Sequence, residues 1–69
     1  MKISARNQLK GKIVEIKEGS VNAIVVVDIG GGNKISSTIS LDAVKELELT
    51  VGSEAIAVIK ATSVMIAVE

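Results

Sequence analysis

Between Val21 and Ile29 every second residue is apolar: Val21, Ala23, Val25, Val27 and Ile29 in turn. A period of two fits a strand and not a helix. The intervening positions, Asn22, Ile24, Val26 and Asp28, are half apolar as well, so both faces of this strand call for some cover. Gly30, Gly31, Gly32 and Asn33 follow directly. These residues adopt positive φ at little cost and close a hairpin. A chain anchored on such a hairpin is committed to an antiparallel sheet.

The flanking stretches extend that sheet. Leu9 to Lys17 reads as a strand of mixed phase, with Leu9, Gly11 and Ile13 on one face and Val14 and Ile16 on the other. Such a strand carries a bulge or is covered by a second subunit. Glu18-Gly19-Ser20 is a turn. Lys34 to Ser40 alternates cleanly, with Ile35, Ser37 and Ile39 facing one way. A short helix is predicted from about Asp42 to Leu47, entered through Ser40 or Leu41, with Leu41, Val44 and Leu47 as its buried edge. Asp42 in its first turn suits the helix dipole. After a turn at Val51-Gly52-Ser53, Glu54 to Lys60 and Val64 to Val68 form the last two strands, joined by Ala61-Thr62-Ser63. The predicted fold is all-β: a five-stranded OB-fold-like barrel with one short helix between strands 3 and 4. Residues 1–69 make a single domain.

Size and composition limit how such a barrel holds itself together. A chain of 69 residues buries only about 60% of the surface its unfolded form exposes. There is no Cys to form a disulfide, and no His or Cys to bind a structural metal. Yet 48% of the residues are apolar, more than one small barrel can hide. Oligomerisation is the remaining remedy for a small scaffold. The longest apolar run, Ala23 to Val27, is far too short to span a bilayer. No basic leader with an apolar core opens the chain, so a cytoplasmic protein without a membrane partner is the expectation.

The same composition excludes functions. Eight basic residues balance eight acidic ones, whereas nucleic-acid binders carry a basic excess. There is no Phe, Tyr or Trp on which a single strand could stack. No His, Cys or Tyr stands ready as a base or strong nucleophile, and nothing obvious activates a Ser. An enzyme is not expected. Gly30-Gly31-Gly32 lacks the following Lys-Ser or Lys-Thr of a phosphate loop.

Polar chemistry is concentrated instead at the N-terminus. Ser4-Ala5-Arg6-Asn7-Gln8-Leu9-Lys10-Gly11 holds the only Arg and the only Gln of the chain. In an extended segment Ser4 and Arg6 share a face. Together they offer a hydroxyl and a planar fork of N–H donors, a pairing suited to a small anion. Lys60-Ala61-Thr62-Ser63 combines a charge, hydroxyls and free backbone N–H groups at a tight turn. Ser40, at a strand–helix junction, lies where unpaired N–H groups favour an anion, although an ordinary N-cap explains it equally.

The blocks SARNQLKGKI, GSVNAIVVVDI, STISLDAVKELEL, VGSEAIAVIKATSVM and IAVE, in that order, resemble the molbindin, or molybdenum-pterin-binding, family. Its members consist of one molybdate-binding domain, and the likeness covers essentially the whole chain. The resemblance implies the same OB-like fold and intracellular storage or buffering of molybdate, with tungstate hardly distinguished from it. It implies a main oxyanion site shared between subunits and made here by Ser4, Ala5, Arg6, Ser40, Lys60, Ala61 and Thr62. A second site near a threefold axis would use Gly19, Ser20, Val21 and Asn22, where a plain β-turn is an adequate alternative. The implied assembly is a homo-oligomer, a hexamer built as a trimer of dimers. Ser20, Ser40 and Thr62 depart from residues frequent in the family but keep small or hydroxyl side chains. With no aromatic surface to stack a pterin, the bare oxyanion is the expected ligand and no organic cofactor is expected. A nucleic-acid-binding OB domain and a purely structural assembly module are the competing functions.

Overall fold

The central hairpin forms as its residues require. In a computed structural model that describes all residues, 1–69, strand β2 (Asn22–Gly30) and strand β3 (Asn33–Ser40) pair antiparallel through the Gly31–Gly32 turn. Both turn glycines have positive φ, +63° and +80°, the combination a two-residue hairpin loop demands. Strand β1 (Asn7–Glu18) precedes them and strand β4 (Glu54–Ile59) follows. The four make one sheet in the order β3-β2-β1-β4, antiparallel throughout.

β1 holds the sheet together because it pairs with β2 along its second half and with β4 along its first. Its mixed phase resolves as a bulge. The register with β2 slips between Ile13 and Glu15, Val14 turns outward, and Ile16 returns to the core side. The bulge adds local twist. Gly11 adds a close approach: a Cβ there would overlap the Asp28 carbonyl oxygen and stand 2.8 Å from Val27 Cγ1. Only glycine lets β1 pass this near to β2 while it swings over to β4.

Helix α1 (Leu41–Glu46) caps one end of the curled sheet. Ser40 Oγ accepts from the Ala43 N–H at 3.0 Å as an ordinary N-cap, and Val44 is the helix's buried residue. The helix ends in a paired 6→1 and 5→2 motif. Leu49 N–H donates to the Val44 carbonyl and Glu48 N–H to that of Lys45. Glu48 occupies the left-handed position of this motif with φ +53°, where glycine is usual. Leu47, predicted on the buried edge, is 66% exposed, because the helix has already closed at Glu46.

The concave face gathers the core: Ile13, Ala23, Val25, Val27 and Val44, with Ile16, Ile29, Ile39, Leu41, Leu49 and Ala55 packed around them. Only 5 of 69 residues are buried.

One element of the predicted barrel is not formed. The sheet has four strands rather than five. After a single 3-10 turn at Ala61–Ser63, Val64 to Glu69 form no ladder. Val64 is 45%, Met65 92%, Ile66 87% and Val68 91% exposed. A strand exists only against a partner edge, and this segment runs beside none in its own chain.

Candidate functional site

The residues singled out for anion chemistry fall into two groups at opposite ends of β1. The first group is set by the β1–β4 register. Asn7 lies opposite Ile59, so Ser4, Ala5 and Arg6, just before β1, leave the sheet at the same end as Lys60, Ala61 and Thr62, just after β4. Two amides fasten the arm there. Asn7 Nδ2 donates to the Ile59 carbonyl at 3.2 Å, and Gln8 Nε2 donates to the Ala5 carbonyl at 3.0 Å. Inspection of the sequence assigns neither residue a role. Their signal lies in being amides within two residues of the only arginine, where they anchor the backbone that carries it.

Within the 3-10 turn Ser63 N–H donates to the Lys60 carbonyl and Val64 N–H to that of Ala61. The N–H groups of Ala61 and Thr62 precede these bonds and have no partner within the turn. Arg6, Lys60, Ala61 and Thr62 are exposed and Ala5 is half-buried. Two cations, the hydroxyls of Ser4 and Thr62, and the Ala61 and Thr62 amides thus lie on segments that leave the sheet at the same end.

The second group lies at the far end. Asn22 pairs with Ser40, and the Leu41 N–H donates to the Val21 carbonyl at 2.9 Å. The structure therefore places Ser40 with the Gly19–Asn22 turn, not with Arg6 and Lys60. β1 is 12 residues long, which at roughly 3.3 Å per residue puts about 35 Å of strand between the groups. No single chain can close Ser40 and Arg6 on one small anion. In the turn, Gly19 N–H is already committed to the Asn22 carbonyl at 2.7 Å, while Ser20 and Val21 lie exposed at its tip. The Ser40 cap fixes Oγ as an acceptor and leaves its proton available to donate outward.

A family model described as TOBE domain matches residues 3–66. A "Probable molybdenum-pterin-binding protein" of Haemophilus influenzae is 75% identical over 69 residues, covering 100% of both chains. Among solved structures, MopII from Clostridium pasteurianum superposes with a TM-score of 0.90 at 60% identity, covering 97% of this chain and 100% of that one. The cytoplasmic molybdate-binding protein ModG, in a molybdate-bound form, gives 0.85 at 46% identity, covering 88% of this chain and 43% of that one.

Proposed function

This chain belongs to the TOBE domain family, with single-domain molybdenum-pterin-binding proteins as close relatives, and from that membership we propose that it binds molybdate and stores or buffers it in the cytoplasm. The observation that carries the reading is the grouping of Ser4, Ala5 and Arg6 with Lys60, Ala61 and Thr62 at one end of the β1–β4 pair. Two positive side chains meet a dianion, and hydroxyls and backbone amides serve the remaining oxygens. Ser40 joins the site from another copy, since its own chain holds it at the opposite end of β1. The main site is accordingly an interface site, and residues 1–69 act as one binding domain within a hexamer arranged as a trimer of dimers. Gly19, Ser20, Val21 and Asn22, repeated about a threefold axis, form the second site.

The ligand follows from the donor set. Every proposed group donates hydrogen bonds and none is a carboxylate or imidazole. Molybdate and tungstate are proton-free dianions near neutral pH. Phosphate retains a proton for which the site offers no carboxylate or imidazole, and a hydroxyl that accepts it is a poorer partner. Sulfate is rejected by size alone. No step of bond-making is assigned to the protein.

Calorimetric titration of the purified, dialysed protein with sodium molybdate tests the proposal. Saturable binding that Arg6→Ala removes is the expected result. Absence of binding by the unaltered protein at millimolar molybdate would dismiss it.

A further inference from the structure

Nearly all hydrogen bonds that involve a side chain in this molecule are local, joining residues two or three positions apart. One is not. Asn7 Nδ2 donates to the Ile59 carbonyl at 3.2 Å across 52 positions of sequence, in a partly buried setting. The two residues face each other as the last rung of the β1–β4 ladder. Asparagine is a poor strand former, so its place at this rung asks for another reason, and the long-range bond supplies one.

The bond holds a peptide plane. The Ile59 carbonyl and the Lys60 N–H belong to one rigid unit, so a donor fixed on that oxygen sets the direction in which the chain enters the Ala61–Ser63 turn. That turn has no side-chain cap of its own, and Lys60 at its entry is extended, with φ −63° and ψ 139°. Asn7 is also the residue next to Arg6. One bond therefore ties the residue after Arg6 to the residue before Lys60. Gln8 acts on the nearer plane: its Nε2, on the Ala5 carbonyl at 3.0 Å, orients the peptide that carries the Arg6 N–H. It does so in an exposed position and does not reach β4. Past the Asn7–Ile59 rung the ladder ends, and no other side-chain hydrogen bond links the two segments.

We propose, resting on the molybdate reading above, that Asn7 is the positioning residue that sets the size preference of the oxyanion site. Sulfate carries the same charge as molybdate, so only donors held at a fixed separation can tell the two apart. Asn7 holds the Arg6 segment to the Lys60 segment where the ladder no longer does. Without its Nδ2 every donor and both positive charges remain, and a dianion is still attracted. What is lost is the spacing that favours the larger anion.

The test titrates full-length protein with sodium molybdate by calorimetry and obtains the sulfate affinity by competition. Asn7→Ala should lower the molybdate affinity about three- to tenfold, the net worth of one hydrogen bond, and leave sulfate nearly unchanged, so the ratio of the two falls by the same factor. Asn7→Val, which removes the amide yet suits a strand, should repeat that result in a chain that retains β1. Asn7→Gln keeps the donor on a longer stem and should recover most of the ratio. Lys10→Ala, on the neighbouring exposed stretch of β1, should leave it intact. A merely structural role would weaken both anions in proportion; a ratio unmoved in Asn7→Ala and Asn7→Val overturns the inference. Nitrogen-15 relaxation of the anion-free protein reads the tether without any ligand. Order parameters of the Arg6 and Ala61 amides should fall in Asn7→Ala from about 0.85 toward about 0.6, and unchanged values would overturn the inference even where molybdate binds. Unaltered protein that binds no molybdate would dismiss the oxyanion reading and the size preference with it, whereas the relaxation result would still stand, so the two failures are distinguishable.

Discussion

Gly11→Ala is the substitution whose consequence the geometry fixes most directly. Gly11 does not have positive φ, so its conformation is open to alanine. On that ground alone the change would stabilise by about 0.4–1 kcal/mol through the unfolded chain. Space decides otherwise. The new Cβ would overlap the Asp28 carbonyl oxygen and approach Val27 Cγ1 to 2.8 Å, and the oxygen is backbone that cannot rotate aside. β1 must retreat from β2 where it already pairs with β4, from Asn7 through Lys12. Overpacking of this kind costs about 1–3 kcal/mol, and one or two strained ladder hydrogen bonds add about 1 kcal/mol each. The net loss is about 2–3 kcal/mol. For a domain of this length that lowers Tm by about 10–20 °C. Thermal unfolding followed by circular dichroism, at one fixed protomer concentration because assembly contributes to stability, measures it. Lys10→Ala at the exposed neighbouring position should shift stability by no more than about 0.5 kcal/mol. A Gly11→Ala protein that melts at or above the unaltered temperature would refute the crossing argument.

Three further outcomes are expected. Arg6→Ala should weaken molybdate binding by about 3–5 kcal/mol, the cost of removing one partner from a charge contact that the proposed subunit interface buries; Arg6→Lys should fall between, since the charge stays and the planar fork is lost. In competition calorimetry at neutral pH, phosphate should fail to displace molybdate at comparable concentrations, and tungstate should displace it readily. Glu48→Gly should raise stability by about 0.5–1 kcal/mol, because relief of a left-handed non-glycine residue at φ +53° outweighs glycine's extra unfolded freedom, and a scanning calorimeter would register it as a Tm a few degrees higher.

Local patterning determined most of the sheet, so most of it was legible. The period of two in Val21–Ile29, the glycines after it and the alternation of Lys34–Ser40 are backbone-level signals, and β2, β3 and their turn lie within a residue of where these place them. The doubled phase of Leu9–Ile16 is equally a signal, and its bulge resolves it. What could not be read is what depends on a partner. Val64–Val68 has strand composition, but composition does not fix which edge a strand pairs with, and this segment joins neither open edge of its own sheet. The candidate anion residues were legible as chemistry and not as geometry. Arg6 and Lys60 leave the sheet at the same end because Asn7 happens to register with Ile59, a long-range fact with no local trace. The separation of Ser40 from both follows from the Asn22–Ser40 pairing and is equally invisible in sequence.

That separation has a thermodynamic consequence. If one anion needs Arg6 and Lys60 of one chain and Ser40 of another, no isolated subunit can bind it fully. Ligand then favours the assembled state over the dissociated one by its binding free energy, and assembly in turn raises affinity by the same factor. At a molybdate concentration about 100 times Kd the shared site contributes about 2.7 kcal/mol of apparent stability. Tm should therefore rise with molybdate, and the concentration at which subunits separate on dilution should fall alongside it. A site complete within one chain would raise Tm without moving the dissociation point. Sedimentation velocity on a dilution series, with and without molybdate, separates the two: a dissociation midpoint unmoved by saturating ligand would place Ser40 outside the site and leave Arg6 and Lys60 to bind alone.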